Sequence, residues 1–141
     1  MDKVINKIVA IGCSLVGKEG YAVTLTANGT VSLLTTGNEQ PYGIVVKGCD
    51  SVTPGIYPSA VVDGSLEIMS EIGQCAMVWI SADSIQVTCG DWMQTGSDSS
   101  FSSMLEILRG YYIWGIAMTD SEVSTFCMIR FQPSYVWANL T

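Results

Sequence analysis

Two glutamates, Glu67 and Glu71, have a spacing that general acid/base chemistry could use, because residues four apart share one face of a helix. Two carboxyl groups on one face could exchange protons with a substrate. However, Gly64 and Gly73 bracket the segment tightly, and its apolar residues alternate with polar ones. This alternation predicts a strand, and we interpret both carboxylates as solvated surface charges.

Aspartates and cysteines are the remaining candidate ligands. Asp83, Asp91 and Asp98 could suggest calcium, but their spacing matches no known calcium loop, and Asp is itself a favoured turn residue. The absence of histidine removes the commonest general base, most catalytic triads and most zinc enzymes. Five cysteines without a C-x-x-C pair are typical of reduced core side chains: Cys13, Cys49, Cys75, Cys89 and Cys127. We therefore predict no catalytic residue, no metal, no cofactor and no enzymatic activity.

The overall composition predicts one folded domain with a partly covered surface. The chain has 141 residues, of which 48% are hydrophobic and only 13% are charged. A net charge of -7 and scattered basic residues argue against binding to the phosphates of nucleic acid. The sequence shows no signal peptide and no apolar stretch long enough to span a membrane, so we expect no membrane partner.

Strand-length segments separated by Gly, Asp, Asn and Ser turns dominate the chain. Residues 21–26 alternate between apolar and polar side chains, and Asn28-Gly29 is a strong hairpin signal. Further apolar runs follow at residues 42–47, 66–69, 74–81, 111–118 and 123–131, with the last one stopped by Pro133. The pattern predicts an all-β fold, a small antiparallel β-barrel or sandwich of short strands with an extended N-terminal arm.

The two ends of the chain are interpreted separately from the β domain of residues 17–133. Residues 1–16 contain a short apolar segment before the Gly17-Lys18-Glu19-Gly20 break, and they form either a docking arm or the first strand. Residues 134–141 are a C-terminal tail with large apolar side chains, which indicates an end that docks on the domain or on a partner.

The order of turns and strands resembles that of tailed-bacteriophage capsid decoration (head-stabilising, or cement) proteins. In this order an apolar segment, here with Ile85, precedes a Gly-Asp pair, Gly90-Asp91. Two hydrophobic residues, Trp92-Met93, and a polar turn, Thr95-Gly96-Ser97-Asp98, follow the pair. An apolar-Gly-apolar-Ala strand, an acidic turn and a final strand with a proline follow: Trp114-Gly115-Ile116-Ala117, Thr119-Asp120-Ser121-Glu122 and Pro133. The segments Gly20-Tyr21-Ala22-Val23 and Pro41-Tyr42-Gly43-Ile44-Val45 are similar to the opening strands of that family.

This resemblance implies a structural virion protein made in the host cytoplasm. It would bind the outer surface of the phage head and bridge major capsid protein subunits. Other copies of itself are further expected partners, and the resemblance leaves open whether the protein docks as a monomer or as a homotrimer. We expect the N-terminal segment to contact the capsid through Val4, Ile5, Ile8 and Val9. The tail residues Tyr135, Trp137 and Leu140 are expected to contact the capsid or a neighbouring copy. Four residues are interpreted as structural turn or packing positions: Gly90, Asp91, Gly96 and Gly115.

A receptor- or glycan-binding β module of a phage fibre or head fibre is the alternative. Four tryptophans and six tyrosines could supply a sugar-binding face, with Tyr57 and Trp92 as candidates. In that case aromatic side chains would carry the recognition, and the capsid would only support the module.

Overall fold

The computed structural model describes residues 4–7, 14–26, 29–48, 66–95, 98–103 and 109–137, with the backbone alone for residues 4–7. Ten β-strands and no helix occur in these ranges, so none of the described residues form a helix able to cross a membrane. The strands are β1 (Val4–Lys7), β2 (Ala22–Leu25), β3 (Val31–Leu33), β4 (Gly43–Lys47), β5 (Leu66–Met69), β6 (Cys75–Trp79), β7 (Trp92–Thr95), β8 (Phe101–Ser103), β9 (Tyr112–Ala117) and β10 (Phe126–Tyr135). The all-β prediction is confirmed.

The strands form two antiparallel sheets, one from each half of the chain. The first sheet has the order β1-β5-β4-β2-β3, and the second has the order β6-β10-β9-β7-β8. Neither sheet closes on itself, so the sandwich alternative of the prediction fits and the barrel alternative does not.

The two halves repeat the same topology, because each strand of β1–β5 occupies the place of the strand five later in β6–β10. The register repeats as well. Val23 is opposite Leu33 in the β2–β3 hairpin, and Met93 is opposite Ser103 in the β7–β8 hairpin. The chain is therefore a tandem structural repeat.

A shared turn and a shared tripeptide place the strands in both halves. Gly20 and Gly90 precede β2 and β7 with φ values of 85° and 96°, a region that favours glycine. Each donates its N–H to a strand carbonyl, that of Val45 at 2.8 Å in the first half and that of Ala117 at 2.8 Å in the second. The tripeptides Tyr42-Gly43-Ile44 and Trp114-Gly115-Ile116 then supply the strand beside β2 and β7, with the same register.

The glycine of that tripeptide allows a close approach of backbones. A Cβ at Gly43 would overlap the Met69 carbonyl oxygen, and one at Gly115 would overlap the Arg130 carbonyl oxygen. Met69 and Arg130 occupy equivalent positions, opposite Ile44 and Ile116. The same steric requirement therefore holds in both halves.

Two hydrophobic clusters form the core. The larger one fills the space between the sheets, with Met93, Phe101, Trp114, Ile129 and Phe131 among its members from the second half. It also takes side chains from one face of the first sheet: Ala22, Ile44 and Met69. The smaller cluster lies on the opposite face of the first sheet and contains Leu15, Val23, Val31, Val45, Leu66 and Ile68. Both faces of the first sheet are thus covered where these side chains lie.

Three local expectations differ from the structure or are refined by it. Pro133 was expected to stop the last strand, but β10 continues to Tyr135. The register shifts between Phe131 and Ser134, which marks a β-bulge. At a bulge the proline does not have to donate the backbone N–H that it lacks to the neighbouring strand. A strand that the sequence did not predict, β8, lies within the serine-rich stretch. In the N-terminal segment 1–16, Val4–Lys7 pair antiparallel with β5 at the edge of the first sheet.

Candidate interaction surface

The outer face of the second sheet combines exposure with apolar side chains. Along β10, Cys127, Ile129 and Phe131 point into the core, while Phe126, Met128 and Arg130 alternate to the outside. We use the name outer face for these outward positions and their neighbours: Cys75, Met77, Trp79, Trp92, Ile116, Phe126, Met128 and Arg130.

Cross-strand pairing brings these side chains together. Met77 is directly opposite Met128, and Trp79 is opposite Phe126, with their rings 5.0 Å apart in an edge arrangement. Met77, Trp92, Phe126 and Met128 are 46%, 43%, 45% and 38% exposed. Exposed apolar side chains that adjoin one another across strands mark interaction sites.

The charge of the outer face contrasts with that of the whole chain. Arg130 is its single charged residue, whereas the chain has a net charge of -7. Arg130 lies between Cys75 of β6 and Ile116 of β9 in the cross-strand row. Protein–protein interfaces are enriched in aromatic residues, methionine and arginine, and they are depleted in aspartate and glutamate. The outer face has this composition.

The equivalent face of the first half is buried. Ala22, Ile44 and Met69 occupy the positions of Trp92, Ile116 and Arg130, and they lie 0%, 0% and 1% exposed in the larger core. One face of the repeated unit is therefore an internal packing surface in the first half and an outward surface in the second.

An aromatic groove adjoins the outer face at the Trp92 end. It encloses about 560 Å³ between Trp92, Ile116 and the chain segment from Pro133 to Trp137. Trp137 is 82% exposed, and its ring packs edge-on against Tyr135 at 4.8 Å. Tyr135 in turn contacts Tyr112 at 5.2 Å, so the tail side chains are held in place by their neighbours.

A smaller crevice of about 250 Å³ lies at the opposite end, beside the edge strand β6. Met77 and Phe126 of the outer face contribute to it, together with Val46 and Met69 of the first sheet. Glu19 also lines this crevice, and it is therefore a carboxylate at the rim of the outer face.

The predicted N-terminal contact residues are only partly described. Val4 and Ile5 lie in β1, opposite Met69 and Ile68, so their backbone is already part of the first sheet. Ile8 and Val9 are outside the described residues, as are Leu140 and Tyr57. The proposed contacts of these residues stay predictions.

The predicted tail residues and turn residues have definite places. Tyr135 ends β10 and Trp137 borders the aromatic groove. The Asp91 carboxylate accepts hydrogen bonds from the Thr88 N–H at 2.9 Å and the Ser103 hydroxyl at 2.8 Å, which ties the Gly90 turn to β8. Gly96 lies outside the described residues.

The carboxylates considered for chemistry do not assemble into a site in the described ranges. Glu67 belongs to β5 and Glu71 to the turn after it. No group of three or more metal-ligand side chains occurs among the residues that the structure describes. Tyr21 has its pKa raised by burial and by the nearby charge of Asp98, and its ring lies beneath the Lys18 ammonium at 4.7 Å.

Glu39 is the carboxylate with the clearest structural role. Its Oε1 accepts hydrogen bonds from the N–H and hydroxyl of Thr35 at 2.6 and 2.7 Å, and from the Thr36 N–H at 3.0 Å. Burial by itself raises the pKa of Glu39, but these hydrogen bonds outweigh it and hold the pKa below its usual value. Glu39 thus orders the loop between β3 and β4.

Comparison with known proteins gives no family for this chain. No protein-family model matches the sequence, and no curated protein matches it significantly. The interaction surface is therefore interpreted from its own geometry.

The outer face was not found from the sequence. Trp92 and Met128 lie in strands where apolar residues occupy both faces, as in residues 126–131, and such runs are normally read as fully buried. The signal that could have found it is Arg130, two residues after Met128 in an apolar run. An arginine is seldom buried without a partner, so the face that carries Arg130 and Met128 is expected to point outward.

Proposed function

We propose that this protein has a structural, non-enzymatic role and acts by binding other proteins through preformed β-sheet surfaces. The observation that carries this proposal is the composition of the outer face, which combines methionines, aromatic residues and one arginine without any carboxylate. The net charge of -7 argues against binding to the phosphates of nucleic acid.

Within this role, the resemblance in the order of turns and strands supports a capsid decoration protein of a tailed phage. Its partners would be the major capsid protein and further copies of itself, on the outer surface of the phage head. Many copies that each crosslink neighbouring subunits stabilise a shell even when each contact is weak. Val4, Ile5, Ile8 and Val9 remain the proposed capsid contacts.

The test is binding to expanded, empty capsids of the phage that encodes the chain. The purified protein should sediment with these shells in a saturable manner and raise the temperature at which they break. A variant with Ile8→Ser and Val9→Ser leaves β1 and the core residue Leu15 unchanged, and it should stay folded and lose binding. Absence of binding by the wild-type chain would reject the capsid role, and unimpaired binding by the folded double variant would reject the N-terminal contact.

A glycan-binding module is the second candidate, and the aromatic groove is the observation that favours it. Trp92 and Trp137 border the groove, and Gln132 and Ser134, whose side chains can form hydrogen bonds, are among the residues that line it. Aromatic faces flanked by such groups suit sugar rings. Specific signals on a glycan array, lost in Trp92→Ala and Trp137→Ala but kept in Trp79→Ala, would support this function over capsid decoration.

A further inference from the structure

We propose that a second copy of this chain covers the outer face, so that two copies form a two-fold dimer with Met128 near its centre. This inference rests on the proposed protein-binding role of the outer face and names the partner. The same surface on both copies would form the interface, as two-fold symmetry requires.

The tandem repeat is the first argument, and it indicates a β-sheet as the partner of this face. In the first half, the row Ala22, Ile44 and Met69 is buried in the core that the second sheet also lines. The chain therefore already packs this face of its repeated unit against a β-sheet, namely against the opposite face of the second unit, on which Met93 and Ile129 lie. The equivalent row of the second half is built from larger side chains and is left outward.

The arrangement of side chains on the outer face is the second argument. Met77 and Met128 form a cross-strand pair, with Trp79 and Phe126 on one side of it and Arg130 on the other. Methionine side chains are flexible and adapt to an identical surface, so two such pairs can stack across a two-fold axis. The aromatic residues around them exclude water.

Charge is the third argument. A chain of net charge -7 repels its own copies, but the outer face bears no carboxylate that would face another across a dimer. Arg130 lies opposite Cys75, and Cys75 lines the same crevice as Glu19. Among the described residues neither Arg130 nor Glu19 has an ion-pair partner, so each copy supplies both members of a pair that a two-fold operation can bring together.

The dimer also explains how the proposed function would work. Two copies joined through the outer faces present two copies of every other surface, including the N-terminal segments. Such a bivalent unit bridges two capsid subunits with an effective affinity well above that of one contact.

Sedimentation velocity over a wide concentration range, with a reducing agent present because Cys89 is exposed, tests the dimer. The wild-type chain should sediment as a dimer. Met128→Glu places a carboxylate at the centre of the interface and should weaken dimerisation by at least about tenfold. Val16→Glu adds the same charge at a residue that is 59% exposed in the first half, and it should leave the dimer unchanged.

A charge exchange tests the two-fold arrangement. Arg130→Glu should weaken the dimer, and the combined variant Arg130→Glu with Glu19→Arg should restore it, whereas Glu19→Arg alone should also weaken it. A wild-type chain that is monomeric at all concentrations, or a Met128→Glu variant that dimerises as well as wild type, would overturn the inference. Failure of the combined variant to recover would reject the Arg130–Glu19 pairing.

Capsid binding by the same proteins separates the two proposals. A monomeric wild-type chain that still binds capsids would overturn the dimer and leave the proposed function intact. A wild-type chain that dimerises but binds no capsid would overturn the proposed capsid role and leave the dimer intact. Circular dichroism and thermal unfolding of each variant show that a loss of dimer is not a loss of fold.

Discussion

The two halves of this protein share strand order and register but use their sheets differently. In the first half, side chains on both faces of the sheet are buried, with Ile44 in one core cluster and Val45 in the other. In the second half, Ala117 is buried in the core, while its neighbour Ile116 lies on the outer face beside Trp92. Equivalent backbone positions therefore have different environments.

The difference shows that topology and surface are specified by different features. The turn glycines and the aromatic-Gly-Ile tripeptide are common to both halves and set the strand register. The side chains at Ala22 and Trp92 are not common: a small residue occurs where the face is internal and a large aromatic residue where it is outward. A repeated unit can thus keep its fold while one face changes from core to interaction surface.

The largest effect is expected at the two equivalent glycines. Gly43→Ala and Gly115→Ala should each lower the free energy of unfolding by about 3 kcal/mol or more, because the new Cβ overlaps a neighbouring carbonyl oxygen. Denaturant unfolding measures this loss. Gly90→Ala is the control, because no atom lies near the new Cβ. Only the backbone strain of alanine at a φ of 96° remains, and it should lower the free energy of unfolding by about 1 kcal/mol. Tolerance at one glycine alone would show that the halves do not pack alike.

The matched isoleucines test the comparison most directly. Ile44→Ala should cost about 2–4 kcal/mol, because Ile44 is fully buried, while Ile116→Ala at the equivalent position should cost about 1 kcal/mol, because Ile116 is only partly buried. Chemical denaturation of dilute, monomeric protein gives both values. Equal losses would contradict the assignment of one face to the core and the other to the surface.

A smaller effect is expected at Glu39, in the loop of the first half. Its folded-state pKa is lowered, so its carboxylate stabilises the fold above the usual pKa range and loses this contribution as the pH falls through the folded value. Glu39→Gln should therefore cost about 0.5–1 kcal/mol at pH 7, and the difference from wild type should shrink at acidic pH. Unfolding curves recorded from pH 7 to pH 3 test this, and a pH-independent difference would contradict it.

The smallest effect is expected at Thr95, which occupies the place of Leu25 in the other hairpin. The Thr95 hydroxyl is buried, and within the described residues it has no hydrogen-bond partner. Thr95→Val removes this unpaired group at nearly constant volume and should stabilise the protein by about 0.5 kcal/mol. A rise in the thermal midpoint measures the gain. A loss of stability would show that the hydroxyl has a partner after all.

Much of the fold followed from local patterns. Alternation in residues 21–26 and the Asn28-Gly29 signal predicted the first hairpin, which forms with Gly29 at a φ of 80°. The strand interpretation of Leu66–Met69 was also correct. The serine-rich β8 was missed, because serines have weak strand propensity and this segment is held by burial of Phe101 and by pairing with β7.

The candidate site could not be obtained in the same way. Trp79 and Met128 carry no motif, and apolar residues of this kind are normally assigned to a core. Trp92 was considered only as part of the Gly-Asp motif and as a sugar contact. The tail residue Trp137 was expected to make contacts, but its place beside Trp92 results from β10 continuing past Pro133.

The sequence alone was sufficient for the all-β class and for most turn positions, because period-two alternation and turn-forming residues act over a few neighbours. It could not specify which face of each strand is covered. That choice depends on what packs against the sheet, and the partner strands come from distant parts of the chain. Only the tertiary structure places Ile44 in the core and Ile116, which is partly buried, on the outer face, although the same tripeptide motif contains both.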